Sequence, residues 1–191
     1  MEKLAMKTTR RSVFGATLAL ASVLGFLAPA AHAASASQLT LDGRRALEKL
    51  YATEPRSRLF ARHARAILVF PSIIKGGFVI GASTGNGVLL KRGRPDSFYN
   101  ISSASFGLQA GGQAFSYALF FMNDKSLAYL RKSDGWAVGT GPNIVVIDKG
   151  AAVVANSTTL TQDVYAFPFA AKGLMAGIDI HGSKVTQIHP H

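Results

Sequence analysis

The feature that most constrains how this chain can fold is a change of pattern at Arg65. Beyond it, short apolar and β-branched runs follow one another, cut by glycine. They begin with Ala66-Ile67-Leu68-Val69-Phe70, which Pro71 is expected to halt. Runs of this length and composition, bounded by turn residues, are strand signals. The candidate strands that follow are 77–83, 87–91, 98–102, 106–110, 116–122, 136–138, 144–147, 151–155, 163–167, 173–179 and 184–188. Links such as Thr84-Gly85-Asn86-Gly87 and His181-Gly182-Ser183 suit hairpin turns, because Gly and Asn accept positive φ with little steric cost. A mainly antiparallel sheet is therefore expected. So many short strands in one domain leave exposed edges unless the sheet bends, which predicts a curved or barrel-like sheet.

Ahead of Arg65 the period is helical. Leu39, Leu47, Leu50 and Tyr51 share the spacing of an amphipathic helix over 39–54, with Thr40 or Asp42 available as a cap and Pro55 as a terminator. A second helical segment starts with Ser57 as its cap. At about 100° per residue it gathers Arg58, Arg62 and Arg65 on one stripe and Leu59, Phe60 and Ile67 on another. One short helix interrupts the strands, from Asn123 as a cap to Arg131. The expected class is α+β, with N-terminal helices packed on a curved, mainly antiparallel sheet and one short inserted helix.

The first 33 residues read as an export leader. Lys3, Lys7, Arg10 and Arg11 are followed by an uncharged stretch from Val13 to Ala31, and Ala31-His32-Ala33 places small residues where a signal peptidase reads. Cleavage before Ala34 is expected, leaving residues 34–191 as a single periplasmic or secreted domain. Ala, Gly, Ser, Thr and Pro29 dilute the apolar stretch, which argues against a retained anchor. Thr9-Arg10-Arg11-Ser12-Val13-Phe14 also fits a twin-arginine signal, and an ordinary Sec leader with a basic start fits as well. The chain has no Cys, so neither a lipobox nor a disulfide framework is available and stability rests on the core.

Residues 34–191 carry 17 Lys and Arg against 9 Asp and Glu, and 8 of the basic residues, with only 3 acidic ones, lie in 34–75. Such an excess suits an anionic partner. Outside the cytoplasm that partner is an anionic lipid surface or envelope polymer sooner than nucleic acid. A solubilising surface charge explains the same numbers without any partner.

Three stretches resemble a known family. Residues 66–81, from Ala66-Ile67-Leu68-Val69-Phe70-Pro71 through Lys75-Gly76-Gly77 to Gly81, followed by Gly87-Val88-Leu89-Leu90, resemble the opening of the SYLF domain, also called Ysc84 or DUF500. Phe106-Gly107-Leu108-Gln109-Ala110-Gly111-Gly112-Gln113 and Leu119-Phe120-Phe121-Met122-Asn123 are similar to its centre. Tyr165-Ala166-Phe167 with Lys172-Gly173-Leu174-Met175-Ala176-Gly177 is similar to its closing motif, although Pro168-Phe169-Ala170-Ala171 stands where the family has a basic or Ser-rich stretch. The resemblance covers nearly all of 38–188. It implies phosphoinositide or membrane binding and, for some members, actin; the SH3 and FYVE modules that often accompany it have no counterpart here.

The residues allow a lipid site. Arg44, Arg45 and Lys49 on the first helix and Arg58, Arg62 and Arg65 on the second are placed to meet anionic headgroups while Leu59 and Phe60 enter the interface. The same residues also suit a solvated face over helices docked on the sheet. Lys75 and Lys172 match basic positions of the family motifs and precede glycines that let an anion approach backbone N–H groups; tight turns explain those glycines equally. The expected partner is an anionic phospholipid or membrane surface. The alternative is a periplasmic structural or protein-interaction domain without a lipid ligand, for which an envelope protein would be the partner.

Catalysis is not expected. His63 has no partnering acid on its helix, and Asp179 with His181 reads as a surface pair at a hairpin. His189 and His191 fall short of a zinc ligand set, and Gly85-Asn86-Gly87 and Gly139-Thr140-Gly141 complete no phosphate loop, so neither metal nor cofactor is expected.

Overall fold

The computed structural model describes residues 35–77, 80–106, 111–132, 135–147, 160–172 and 182–191. The proposed leader, the candidate strands 151–155 and 173–179, residues 107–110 and the Asp179–His181 pair lie outside the described residues.

Helix α1 spans Ala36–Thr53 and α2 spans Ser57–His63. Strands β1 (Ala66–Gly77), β2 (Ile80–Lys91), β3 (Arg94–Phe106) and β4 (Gly111–Phe121) follow. Then come α3 (Asp124–Lys132), β5 (Trp136–Ala137), β6 (Ile144–Val146), β7 (Val164–Lys172) and β8 (Lys184–Ile188). The strands form one sheet in the order β5-β8-β3-β2-β1-β4-β7-β6. Every pairing is antiparallel except β6 with β7. The fold is α+β with a curved sheet, N-terminal helices and one inserted helix, as the sequence pattern predicts.

The alternation of each strand divides the apolar residues between two faces. Leu68, Phe70, Leu89, Tyr99, Tyr117, Leu119 and Phe121 pack on one face with Leu127 and Leu130 of α3 and with Trp136. Phe120, Tyr165 and Phe167 pack on the other with Leu50 of α1 and Phe60 of α2, while Val69, Val88 and Leu90 meet Ala46 and Leu47 of α1. Phe60 is 1% exposed and sits edge-on to Tyr165 and Phe167, with ring centroids 4.8 and 4.9 Å away. Such a ring contributes several kcal/mol, roughly 3–5 on truncation, which is enough to pin a helix of two turns.

Several local expectations are corrected. Pro71 does not end the first strand: β1 runs through it, and its register against both neighbours shifts between residues 69 and 74. A bulge is where a strand tolerates a residue without an N–H, and here Ser116 Oγ donates to the Pro71 carbonyl at 2.7 Å. Thr84-Gly85-Asn86-Gly87 is not a turn but the middle of β2. A Cβ at Gly85 or Gly87 would come within 2.5–2.6 Å of the carbonyl oxygen of Ser72 or Val69 or of the Phe70 ring, so these glycines admit the bulge of the neighbouring strand. The turn lies further on, at Arg92-Gly93.

Helix ends differ as well. Ser35, not Thr40 or Asp42, caps α1, accepting from Gln38 N at 3.2 Å; Asp42 instead accepts from Gln38 Nε2. Ser57 is the first residue of α2 and donates its hydroxyl to Glu54 O at 2.6 Å, fastening the corner at Pro55. Asn123 does cap α3, with Oδ1 accepting from Ser126 N at 2.8 Å. Its Nδ2 donates to Asp163 Oδ1 at 2.7 Å, and Asp163 Oδ2 accepts from Asn143 N at 3.0 Å. These two hydrogen bonds, the Asn123 one foremost, hold the Asp163 carboxyl below its ordinary range. One carboxylate thus joins the starts of α3, β6 and β7.

Candidate functional site

The basic residues singled out in the sequence do not form one stripe. Helix α1 lies along the sheet and separates them onto two flanks, each with its own depression.

On one flank a groove of about 480 Å³ opens between α1, α2 and the ends of β1 and β2. Its apolar lining includes Leu47, Tyr51, Ile67 and Leu90, and its cationic lining is Arg62, Arg65 and Arg92. Arg65 is not on α2, which closes at Ala64; its N–H donates to Phe121 O at 2.7 Å as the chain enters β1. That hydrogen bond to the end of β4 fixes where the side chain emerges. Arg65 Nε lies 3.8 Å from Asp124 Oδ2, but both side chains are largely exposed, so the pair holds the guanidinium only weakly. Arg62 and Arg92 have no ion-pair partner among the described residues. A fourth guanidinium, Arg44, donates from Nη2 to Gly93 O at 3.1 Å and ties α1 to the turn beside the groove.

Arg58 is engaged differently. Its guanidinium lies 4.8 Å from the centroid of the Tyr51 ring, a cation–π contact that covers part of the groove's aromatic lining. Burial pushes the Tyr51 phenol up, and the Arg58 charge opposes that shift.

On the other flank a cleft of about 350 Å³ is lined by Asp42, Arg45, Lys49, Ser72, Ser116 and Ala170, among others. It sits over the bulge of β1. Arg45 is 3.7 Å from Asp42 and 73% exposed, so its charge is partly offset and well screened.

Lys75 and Lys172 lie elsewhere. Lys75 is nine residues along β1 from Ala66, roughly 30 Å at strand rise. It pairs with Ser83 and Gln113. Lys172 closes β7 opposite Ala114, which itself pairs with Ile74, so the two backbones share the far end of the sheet; the Lys172 side chain lies outside the described residues. Of the eight residues, the structure brings Arg62 and Arg65 together, with Arg44 nearby, sets Arg58 over the Tyr51 ring, places Arg45 and Lys49 in the same cleft, and leaves Lys75 and Lys172 at the far end of the sheet.

Arg92 is the groove residue that helix-based reasoning misses. Its signal was Lys91-Arg92-Gly93-Arg94, three cations around a glycine, but only the β2–β3 pairing and α1 docking bring that turn beside Arg62 and Arg65.

Fold and groove together define a small α+β domain in which cationic side chains frame an apolar depression, and no described helix is long and apolar enough to cross a membrane. Residues 102–189 match the family model Ysc84, described as "Las17-binding protein actin regulator", so this stretch of the chain is similar to the Ysc84, or SYLF, family. This is a binding-type family. No curated protein matches the chain.

Proposed function

We propose that this protein is an exported SYLF-type domain that binds anionic phospholipid at the cell envelope, with the Arg62–Arg65–Arg92 groove as its headgroup site. The observation that carries this is the juxtaposition of three guanidinium groups with the apolar lining of Leu47, Tyr51, Ile67 and Leu90 in one groove. A phospholipid presents the same two chemistries next to each other: a phosphate for the arginines and hydrocarbon or glycerol for the apolar residues. Guanidinium suits the role because its planar fork makes paired hydrogen bonds to phosphate oxygens. Each cation near an anionic surface contributes about 1 kcal/mol, so the three together supply roughly 3 kcal/mol.

Export is part of the same proposal. The basic start, uncharged stretch and Ala31-His32-Ala33 of residues 1–33 support this reading, in which the domain acts in the periplasm or outside the cell. The compact unit that holds all described residues runs from Ala33 to His191.

Flotation of the 34–191 protein with phosphatidylglycerol-containing vesicles tests the lipid half. Binding that weakens with added salt, and that is absent from purely phosphatidylcholine vesicles, is expected. Equal indifference to both vesicle types would remove lipid as the partner and leave a structural or protein-interaction role.

A further inference from the structure

The β2–β3 hairpin turn carries a residue that turn chemistry alone does not favour. Lys91 pairs with Arg94, and the two residues between them, Arg92 and Gly93, have φ of 52° and 75°. Positive φ at both central positions is the type I′ pattern, whose first position is taken most cheaply by Asn, Asp or Gly. An arginine there meets the steric penalty of the left-handed region. Among the described residues Arg92 makes no ion pair. It lines the groove that already holds Arg62 and Arg65, and Gly93 beside it accepts the hydrogen bond that anchors Arg44. A cation held at positive φ, without an ion pair and beside two other guanidinium groups, points to a ligand contact.

We infer that Arg92 makes the groove selective for a lipid carrying a phosphate monoester over one carrying only a phosphodiester. This rests on the proposed lipid-binding role. A diester phosphate bears a single charge and two free oxygens, which two guanidinium groups already satisfy. A monoester bears three free oxygens and a charge of roughly −1.5 to −2 near neutral pH, because its second proton leaves around pH 6. The third guanidinium matches the third oxygen and the extra charge, and its fork gives paired hydrogen bonds where lysine would act as a point charge. The apolar lining of Leu47, Ile67 and Leu90 commits the site to a monoester on a lipid rather than to free phosphate.

The test uses the 34–191 protein and two vesicle sets, phosphatidic acid or phosphatidylglycerol in phosphatidylcholine, adjusted to equal zeta potential. Wild type should bind the phosphatidic acid set about fivefold more tightly, the factor that about 1 kcal/mol for one added cation contact gives. Arg92→Asn, which places a favoured residue in the turn, should melt at the same or a higher temperature and bring that ratio to about one. Arg92→Lys, which keeps charge and strain but not the paired hydrogen bonds of the fork, should retain most binding to both sets and show a preference smaller than that of wild type. Equal wild-type binding to the two sets, or an Arg92→Asn variant that keeps the preference, would overturn the inference while leaving anionic-lipid binding intact. Absence of binding to either set would sink the lipid-binding role itself. Inorganic phosphate should displace the protein no more than chloride at equal ionic strength; greater displacement would reassign the groove to a free phosphate.

Discussion

Gly43 sits in the middle of α1, where glycine costs a helix about 1 kcal/mol relative to alanine. Its replacement by alanine should nevertheless destabilise the domain. A Cβ built there lies 2.3 Å from Val88 Cγ1, with Val88 Cβ and Val69 Cβ next at 3.8 and 4.0 Å. Val88 is wholly buried and β-branched, so its methyl has no alternative well to enter without meeting other core atoms. Overpacking of this kind costs roughly 1–3 kcal/mol, which exceeds the helix gain and leaves Gly43→Ala less stable by about 1 kcal/mol. For a domain of this size that lowers Tm by roughly 2–4 °C. Val88→Ala alone should cost about 2 kcal/mol through lost burial and a cavity. In that background the collision disappears, and Gly43→Ala should now stabilise by about 1 kcal/mol. A double-mutant cycle by urea denaturation reads the coupling as a change of sign at residue 43. If Gly43→Ala stabilises the wild-type domain as well, α1 is not held against the sheet through this glycine, and the placement of both basic flanks would need revision.

Four further outcomes are expected. Phe60→Ala should destabilise by roughly 3–5 kcal/mol in chemical denaturation, because it removes a fully buried ring with two edge-on aromatic contacts; a loss below about 1 kcal/mol would mean that α2 is held by other contacts. The folded-state depression of the Asp163 carboxyl makes its contribution complete at neutral pH and lost as pH falls through the folded-state value, so Asp163→Asn should destabilise at pH about 7 and progressively less towards pH about 2, measured by thermal melts; a pH-independent penalty would contradict this. The Tyr99 hydroxyl is buried beside Ser97, in a geometry short of a full hydrogen bond, so Tyr99→Phe should be neutral or stabilising by up to about 1 kcal/mol, whereas a clear loss in Tm would show that the Ser97 contact is a hydrogen bond of full strength. N-terminal sequencing of the exported protein should begin at Ala34, and a protein retaining residues 13–31 would refute cleavage of the leader.

The three helices and the strand-rich remainder were legible because amphipathic period, Pro55 and Asn123 act locally. The extents of β1 and β2 were not. Pro71 and the glycines at 85 and 87 carry turn chemistry when read alone, and only the pairing of a bulged strand with a glycine-relieved neighbour turns them into mid-strand residues. The candidate site shows the same division. Arg62 and Arg65 could be grouped from helical spacing even though Arg65 lies just past the helix end, since a turn of chain preserves their side. Which flank of α1 each cation occupies depends on how Gly43 seats the helix against Val88, and Arg92 reaches the groove through sheet pairing 27 residues beyond Arg65. Both are tertiary facts with no local signature.

The most direct measurement compares two charge-matched pairs of substitutions on opposite flanks of α1. Arg62→Gln with Arg65→Gln alters the groove, and Arg45→Gln with Lys49→Gln alters the cleft; each removes two positive charges from exposed positions, and circular dichroism establishes that both variants are folded. In cosedimentation with phosphatidic acid vesicles, the groove variant should lose about 2 kcal/mol, close to 30-fold, while the cleft variant stays within about threefold of wild type. Equal losses from the two flanks would show that the protein responds only to net charge, and the groove would not be the binding site.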